Sequence, residues 1–433
     1  MRRVGPPRAS SRRTISPFEL QQRVQACDNP QSEGTLKLDV IVRFRRRTRR
    51  NPVSFHDFLS SLRDTKGIST VHCYPSMALG IRQDEWHQIV RTFGRMENLS
   101  HLSFPSGYGG FNGIAADALS EVLEQTSSVK TLILSEGVVI IGPVVDLQRL
   151  ARAIAGSGLT KFVCDCMFRF EGRPNAEQVI AREGMALCTT LQSLSLRDHM
   201  RHLSEEDVAS LILRLKSLRH VSLYTCHWQG LGRVLEHNKS IEKLQVTDHD
   251  VDPEPFCSFM NNVERNQCLR TLKLRLIQGF TDDSMKKAVF AFLRCDETLE
   301  KLILVDKVDL VGPPLWRCLS HFDMSELVSA TALNGFVQVE IQGLEPYVHD
   351  GPDHEQYWQY KEQLGVENNL NRLGRRMLRK RLGDRVQYTK ALLKLVEDNG
   401  GSMEVFYEND WDLYRTRCLF ALVRMNPSFF GGL

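Results

Sequence analysis

The sequence predicts an α/β solenoid (a horseshoe), in which parallel strands line a concave face and helices cover the convex face. The first observation is an apolar pattern, L-x-x-L-x-L, that recurs nine times between residues 68 and 304. The second is its spacing, because successive copies begin 31, 30, 30, 32, 27, 23, 28 and 30 residues apart. The third is that apolar residues recur at helical spacing in the segments that follow the copies. One supersecondary unit repeated at such a period indicates a stack of structural repeats.

Each copy of the pattern predicts one strand. Side chains alternate between the two faces of a strand, so the apolar positions point inward and the intervening residues point outward. The apolar positions are Ile68/Val71/Cys73, Leu99/Leu102/Phe104, Val129/Leu132/Leu134, Leu159/Phe162/Cys164, Leu191/Leu194/Leu196, Leu218/Val221/Leu223, Ile241/Leu244/Val246, Leu269/Leu272/Leu274 and Leu299/Leu302/Leu304.

The segments after the strands predict helices, because apolar residues recur there at three- and four-residue spacing. Ser204 is a good N-cap, and three acidic residues follow it in the expected first turn. Stacking creates the core, since neither a strand nor a helix of the unit can bury its apolar face alone. The apolar stripes are Trp86/Ile89/Val90/Phe93, Ile114/Leu119/Val122/Leu123, Leu147/Leu150/Ile154, Val208/Leu211/Ile212/Leu215 and Met285/Ala288/Val289/Phe292.

The segment before the repeats predicts a basic arm and a cap. Met1–Ser16 holds five arginines, two prolines and no acid, so we expect it to be disordered. Residues 17–67 should cover the open end of the solenoid with a strand at Leu36–Phe44, an arginine-rich loop at Arg45–Arg50 and a helix at Phe55–Arg63. The arm also has the Arg/Ser-rich character of an organellar transit peptide, and the arginine-rich loop that of a nuclear-import signal.

The repeats should occupy residues 68–332, and residues 333–433 should close the other end. We expect a last strand at Phe336–Ile341, a polar loop at Glu345–Tyr360 and a helical C-terminal cap. The cap contains a basic helix, in which Arg372–Arg381 back an apolar stripe that begins at Leu370. This amphipathic pattern suits a cap, and also contact with RNA, an anionic membrane or an acidic protein.

The composition favours a folded protein that neither spans a membrane nor is secreted. With 42% hydrophobic and 25% charged residues the chain is typical of a folded protein, and it has no apolar run long enough to span a membrane. The first thirty residues lack the apolar core of a secretory signal, so we expect an intracellular protein, cytoplasmic or nuclear. Residues 1–50 carry 13 Lys/Arg against 4 Asp/Glu, whereas residues 51–433 carry 43 against 48. The basic excess therefore belongs to the N-terminal segment.

The cysteines favour reduced thiols. There are 11, an odd number, and none forms a C-x-x-C pair. Cys164 and Cys166 are the closest pair, and we expect their side chains to point to opposite faces of a strand and therefore not to hold one metal ion.

The repeated L-x-x-L-x-L pattern with a helix in each unit resembles the ribonuclease-inhibitor-like class of leucine-rich repeat proteins over residues 68–310. That class places Asn or Cys three residues after the last leucine. Cys226 matches, but His199, His249, Ile277 and Lys307 stand there in other repeats, so the turns diverge. Asn368–Arg376 and Leu422–Ser428 resemble the closing segments of uncharacterised repeat proteins from single-celled algae.

The resemblance implies protein binding on the concave face. Outward-facing side chains of the later strands are the expected contacts, and their positive excess favours a partner of acidic character. The candidate partner-binding residues are Arg197, His220, Tyr224, Lys243, Lys273, Arg275 and Lys301. We therefore expect a non-enzymatic interaction scaffold without a cofactor.

Three motifs suggest other chemistry, and each has a simpler interpretation. Gly107–Gly113 imitates a dinucleotide-binding turn but lies in register with the repeats. Asp248–Asp252 lacks the glycine and glutamate of a calcium loop, since Pro253 and Phe259 stand at those places. His349–Glu355 is more consistent with a solvated loop than with a metal site.

Three alternative functions remain open. The first is a GTPase-activating protein of the leucine-rich repeat type, for which Arg82 is the candidate arginine. The second is a ubiquitin-ligase substrate receptor, although residues 17–50 lack an F-box pattern. The third is a nucleic-acid-binding protein that uses the basic arm and Arg372–Arg381.

Overall fold

The computed structural model describes most of the chain in two compact units, Met1–Val234 and Leu235–Leu433. The division falls within the helix Trp228–His237. The described residues are 14–15, 17–28, 34–38, 41–42, 54–73, 82–105, 113–171, 175–197, 203–224, 227–248, 251–276, 282–295, 298–305, 321–334, 337–342, 359–369 and 371.

The first unit is organised around a parallel sheet. The strands of this unit are β1 (Thr14–Ile15), β2 (Thr35–Leu38), β3 (Ile41–Val42), β4 (Thr70–Cys73), β5 (His101–Phe104), β6 (Ile114–Ala115), β7 (Thr131–Leu134), β8 (Val139–Gly142), β9 (Lys161–Cys164), β10 (Met167–Phe170), β11 (Ser193–Leu196) and β12 (His220–Tyr224). The order in the sheet is β2-β4-β5-β7-β9-β11-β12. These strands follow one another in the sequence, apart from the short β3, β6, β8 and β10 that lie between them.

The register of this sheet confirms the repeat pattern. Leu102 pairs with Leu132, Leu132 with Phe162 and Phe162 with Leu194, so the second apolar position of each copy forms one continuous row. All four side chains are buried. Each strand begins two residues after the first apolar position of its copy, and the leucine-rich pattern therefore specifies the interior of the stack.

Helices follow the strands and bury the stripes that the sequence predicts. Trp86 packs edge-on against Phe104 of the adjacent strand, and Ser204 caps its helix through the Asp207 backbone and side chain. Ile114 is an exception: it belongs to β6, because the helix begins only at Ala116. The helices are α1 (Pro17–Ala26), α2 (Phe55–Asp64), α3 (Gln83–Phe93), α4 (Ala116–Gln125), α5 (Val144–Gly156), α6 (Ala176–Val179), a π-helical turn (Ile180–Gly184), a 3-10 turn (Met185–Leu187), α7 (Glu205–Arg214) and α8 (Trp228–His237).

A second, smaller parallel sheet in the first unit has the order β10-β8-β6. Its strands are rich in β-branched and aromatic residues, as in Val139–Gly142 and Met167–Phe170, which favour extended backbone. Each of them lies between a strand of the large sheet and the following helix. The sequence pattern does not predict this sheet, because strands of two to four residues have no distinctive period.

The second unit contains four parallel strands and the helices between them. Leu244, Leu272 and Leu302 pair in one buried row of the sheet, and Phe256 and Phe259 are buried on the helix that follows its first strand. The elements are β13 (Lys243–Asp248), α9 (Pro253–Glu264), β14 (Thr271–Leu276), α10 (Asp283–Cys295), β15 (Lys301–Val305), α11 (His321–Asn334) and β16 (Gln338–Gln342).

Residues 359–369 are helical, and Asn368 among them is hydrogen-bonded to the last strand of this unit. The Asn368 side chain accepts a hydrogen bond from the Val339 backbone N–H and donates one to the Val339 carbonyl, each between 2.5 and 2.6 Å. Asn371 donates to the Thr331 and Val337 carbonyls. These amides satisfy backbone groups at the edge of the sheet. Tyr360 is helical here, whereas the sequence analysis placed it at the end of a loop.

The side chains of Cys164 and Cys166 are oriented differently from the prediction. Both thiols are buried, and their sulfur atoms lie 3.8 Å apart. The expectation that they point to opposite faces was wrong, because residues two apart in extended backbone lie on the same face.

Several predicted features of the termini lie outside the described residues, namely Arg45–Arg50, the basic segment Arg372–Arg381 and most of Met1–Ser16. At the end of the predicted arm, Thr14 and Ile15 pair in parallel with Ile41 and Val42. Among the helices that the structure describes, none combines the length and apolar character needed to cross a bilayer.

Candidate partner-binding surfaces

The outward face of the four strands in the second unit brings together four of the predicted contacts. Lys243 and Lys301 pair in register with Thr271 from either side, so the three residues form one row across β13, β14 and β15. Lys273 and Arg275 follow Thr271 at intervals of two on β14 and therefore lie on the same face. We name Lys243, Lys273, Arg275 and Lys301 the basic strand face.

The basic strand face is accessible and carries a net positive charge. Lys243 is exposed and the other three cations are half-buried, while the leucines between them are buried. Lys301 forms an ion pair with Glu340 of β16. Among the described outward-facing strand residues of this unit, the cations thus outnumber the carboxylates by four to one. Glu340 itself was not singled out in the sequence, because its place beside Lys301 depends on the pairing of β15 with β16.

The three candidates of the first unit fall at opposite ends of its last strands. Arg197 and Tyr224 directly follow the paired residues Leu196 and Leu223, so they lie on neighbouring strands at the carboxyl end. His220 begins β12, four residues before Tyr224. The Arg197 guanidinium is exposed and lies 3.9 Å from the buried Asp165 carboxylate, which reduces the free positive charge here.

From β4 to β12, the middle row of the outward face in the first unit contains no lysine, arginine or carboxylate. It runs His72, Ser103, Ile133, Val163, Ser195 and Ser222 across neighbouring strands. His72 also meets His101 edge-on, with 5.3 Å between ring centroids. Burial, together with the nearby His72 and Lys161, lowers the pKa of His101, which favours the neutral ring. This imidazole pair could not be predicted from the sequence, since the two residues are 29 positions apart.

An open pocket of about 530 Å³ lies beside the small sheet of the first unit. Asp117, Asp146, Glu171, Arg169 and His87 contribute its polar lining. Burial and the neighbouring Asp117 raise the pKa of Asp146, while Arg91 forms an ion pair with Asp117. In the described part of the chain, no three His, Cys, Asp or Glu side chains are grouped so that they could hold a metal ion.

Two of the remaining sequence motifs contribute residues to helix N-termini, and the others lie outside the described residues. Arg82 precedes α3 and forms ion pairs with Asp84 and Glu85 of its first turn. Asp252 caps α9 by accepting a hydrogen bond from the Glu254 backbone. Residues 106–112 of the glycine-rich turn and residues 349–355 are not described, nor are the five turn positions at which the family pattern has Asn or Cys.

The repeated L-x-x-L-x-L strands, stacked in parallel and each followed by a helix, give this chain the α/β solenoid fold of leucine-rich repeat proteins. No protein-family model matches the sequence, and no curated protein matches it.

The chain is similar in fold to two solved structures, among others. One is the leucine-rich repeat-containing protein LegL7 from Legionella pneumophila, with 13% identity, a TM-score of 0.44, and coverage of 77% of this chain and 98% of that one. Another is TLR13 in its complex with ssRNA13, with 13% identity, a TM-score of 0.36 and coverage of 71% of this chain. The chain spans 42% of the TLR13 chain. Similarities this distant assign no partner.

Proposed function

We propose that this protein is a non-enzymatic interaction scaffold and that the basic strand face binds a protein partner of acidic character. The observation that carries the proposal is the row formed by Lys243, Thr271 and Lys301, with Lys273 and Arg275 beyond it on the same face. Lys301 pairs with Glu340, the one carboxylate among the described outward-facing strand residues of the unit. The buried leucine row holds the strand backbone rigid, so the backbone positions from which these cations project are fixed before binding, which lowers the cost of ordering the site.

The expected contribution of the basic strand face is mainly electrostatic. Complementary charge accelerates association and selects against partners of the same sign. Because the charges are at least partly exposed, salt should screen them, with a Debye length of about 8 Å at physiological ionic strength. Binding should therefore weaken as salt is raised. Arg197 and Tyr224 in the first unit are proposed as a separate contact, since Arg and Tyr are frequent hot spots.

The test compares two double variants with equal changes in net charge. Lys273→Glu with Arg275→Glu reverses the centre of the basic strand face. Lys239→Glu with Lys287→Glu reverses two exposed lysines of the same unit, one in the turn before β13 and one on α10. Partners captured from native extract by the unaltered protein are identified by mass spectrometry, and their affinities for each variant are then measured with purified proteins.

We expect the face variant to bind at least about tenfold more weakly, which corresponds to about 1.4 kcal/mol, while the control variant binds normally. Equal affinity of the face variant and the unaltered protein would refute the location of the site. Capture of nucleic acid without a protein partner would refute the scaffold itself. The contact in the first unit is tested in the same assay with Arg197→Glu and Tyr224→Ala.

A further inference from the structure

Cys164 and Cys166 form a closely spaced pair of thiols in the core of the first unit. Cys164 ends β9, and Cys166 immediately precedes β10. Between them, the Asp165 backbone N–H donates a 2.7 Å hydrogen bond to the Leu134 carbonyl, which fixes the chain where it passes from the large sheet to the small one. The two sulfur atoms lie 3.8 Å apart, and neither side chain is exposed to solvent.

Two kinds of chemistry are open to such a pair, and the surroundings favour one of them. A metal ion would need further ligands, yet no third metal-binding side chain is grouped with these thiols in the described residues. A metal bound by two thiolates would also place negative charge in the core beside the buried Asp165. A disulfide is neutral and needs no other ligand. Its bond length is about 2.05 Å, so each sulfur would have to move by roughly 1 Å.

We propose that Cys164 and Cys166 are a modification site that closes to a reversible intrachain disulfide when hydrogen peroxide is the oxidant. In the first step one thiolate attacks peroxide, so that a sulfur–oxygen bond forms, the oxygen–oxygen bond breaks and, after protonation, water leaves. In the second step the other thiol attacks the sulfenic sulfur, so that the disulfide forms and a second water leaves. Two thiols and one peroxide thus yield one disulfide and two waters.

Burial determines the kinetics of this site. Desolvation, followed by the hydrogen bond with Cys164, raises the pKa of the Cys166 thiol, so its thiolate forms only when the region opens locally. The first step should therefore be slow compared with oxidation of the exposed Cys295. The second step should be fast, because the resolving sulfur is already 3.8 Å away.

Cys73 provides a control within the same chain. It occupies the same position in its repeat as Cys164, is equally buried, and burial likewise raises its pKa. The structure shows no second cysteine against it among the described residues. If oxidation reflected general unfolding, Cys73 would react together with the pair.

The experiment treats the full chain with hydrogen peroxide, blocks the remaining thiols and analyses tryptic peptides by mass spectrometry. Cleavage after Lys161 and Arg169 yields residues 162–169, a peptide that contains both cysteines. We expect this peptide to lose two hydrogen atoms, to regain them with dithiothreitol, and to do so while Cys73 stays reduced. In Cys166→Ser the loss should disappear, and dimedone should instead trap a sulfenic acid on Cys164.

Three outcomes would overturn the proposal. One is a peptide 162–169 that still keeps both thiols when peroxide treatment is prolonged far beyond the complete oxidation of Cys295. Another is oxidation of Cys73 at the same rate as the pair. The third is a metal ion retained by the purified protein and lost in Cys166→Ser. The measurement on the unaltered chain decides the matter even if the serine variant does not fold.

Discussion

Asn266 should be among the most sensitive polar positions in the second unit. It precedes β14 by five residues and is 1% exposed. Its side-chain amide donates to the Leu235 and Asn238 carbonyls of the preceding repeat, the latter over 2.9 Å. Its carbonyl oxygen accepts from the Cys268 and Leu269 backbone N–H groups at 2.8 and 2.7 Å. One side chain therefore joins two repeats through four backbone groups.

The change Asn266→Ala removes all four hydrogen bonds at once. An unsatisfied buried donor or acceptor costs about 1–3 kcal/mol, and the Leu269 N–H is fully buried. The two carbonyls keep a second lone pair, and water can enter part of the space that the amide leaves. If only the two N–H groups are counted in full, the summed cost is about 2–6 kcal/mol, and we expect a loss of about 3 kcal/mol in the free energy of unfolding.

The assay is urea denaturation followed by circular dichroism, with native-state hydrogen exchange to locate the loss in the second unit. Asn98→Ala is the matched control, because Asn98 is exposed and donates a single 2.8 Å bond to the Lys66 carbonyl. It should cost less than about 1 kcal/mol. If Asn266→Ala were no more destabilising than Asn98→Ala, the amide would not be joining the repeats.

Two further predictions concern charge and packing. Burial raises the pKa of Asp207, but hydrogen bonds from Ser204 and Arg182 outweigh it and leave the pKa lowered, so this carboxylate stabilises the fold above the unfolded pKa of about 4 and loses that effect as the pH falls further. Asp207→Asn should therefore be destabilised at pH 7, with the difference from the unaltered protein narrowing below about pH 4 in urea titrations; a gap that did not change with pH would refute this. Leu272→Ala, in the buried row of β14, should cost about 2–5 kcal/mol, whereas Lys273→Ala on the outward face should cost less than about 0.5 kcal/mol. Similar urea midpoints for these two variants would contradict the assignment of the faces.

The leucine pattern was sufficient to predict the stack of repeats, because it depends only on residues that are close together in the sequence. Leu194 is buried and Ser195 is not, and this alternation follows from strand geometry alone. The asparagines at 238, 266 and 334 were missed for the opposite reason. Asn238 and Asn266 each lie three residues before the first apolar position of a copy and accept a hydrogen bond from the backbone N–H of that position, and Asn334 accepts one from the Val337 N–H. Asn266 and Asn334 also donate to a carbonyl in the helix of the preceding repeat. Their importance depends on which backbone groups the preceding repeat leaves unsatisfied.

The same holds for the basic strand face: contacts within one strand could be predicted from the sequence, and contacts between strands could not. Lys273 and Arg275 could be assigned to one face from their spacing within a single strand. Glu340 could not be assigned to Lys301, because 39 residues separate them and only the pairing of β15 with β16 brings them together.

This ion pair bears directly on the proposed function, since it neutralises one of the four cations in the free protein. An acidic partner would have to displace Glu340 or bind beside it. Glu340→Gln should therefore strengthen binding to the partner captured by the basic strand face, with the gain shrinking at high salt. Weaker binding by Glu340→Gln would mean that the partner contacts the carboxylate itself and that the face recognises a mixed, rather than an acidic, surface.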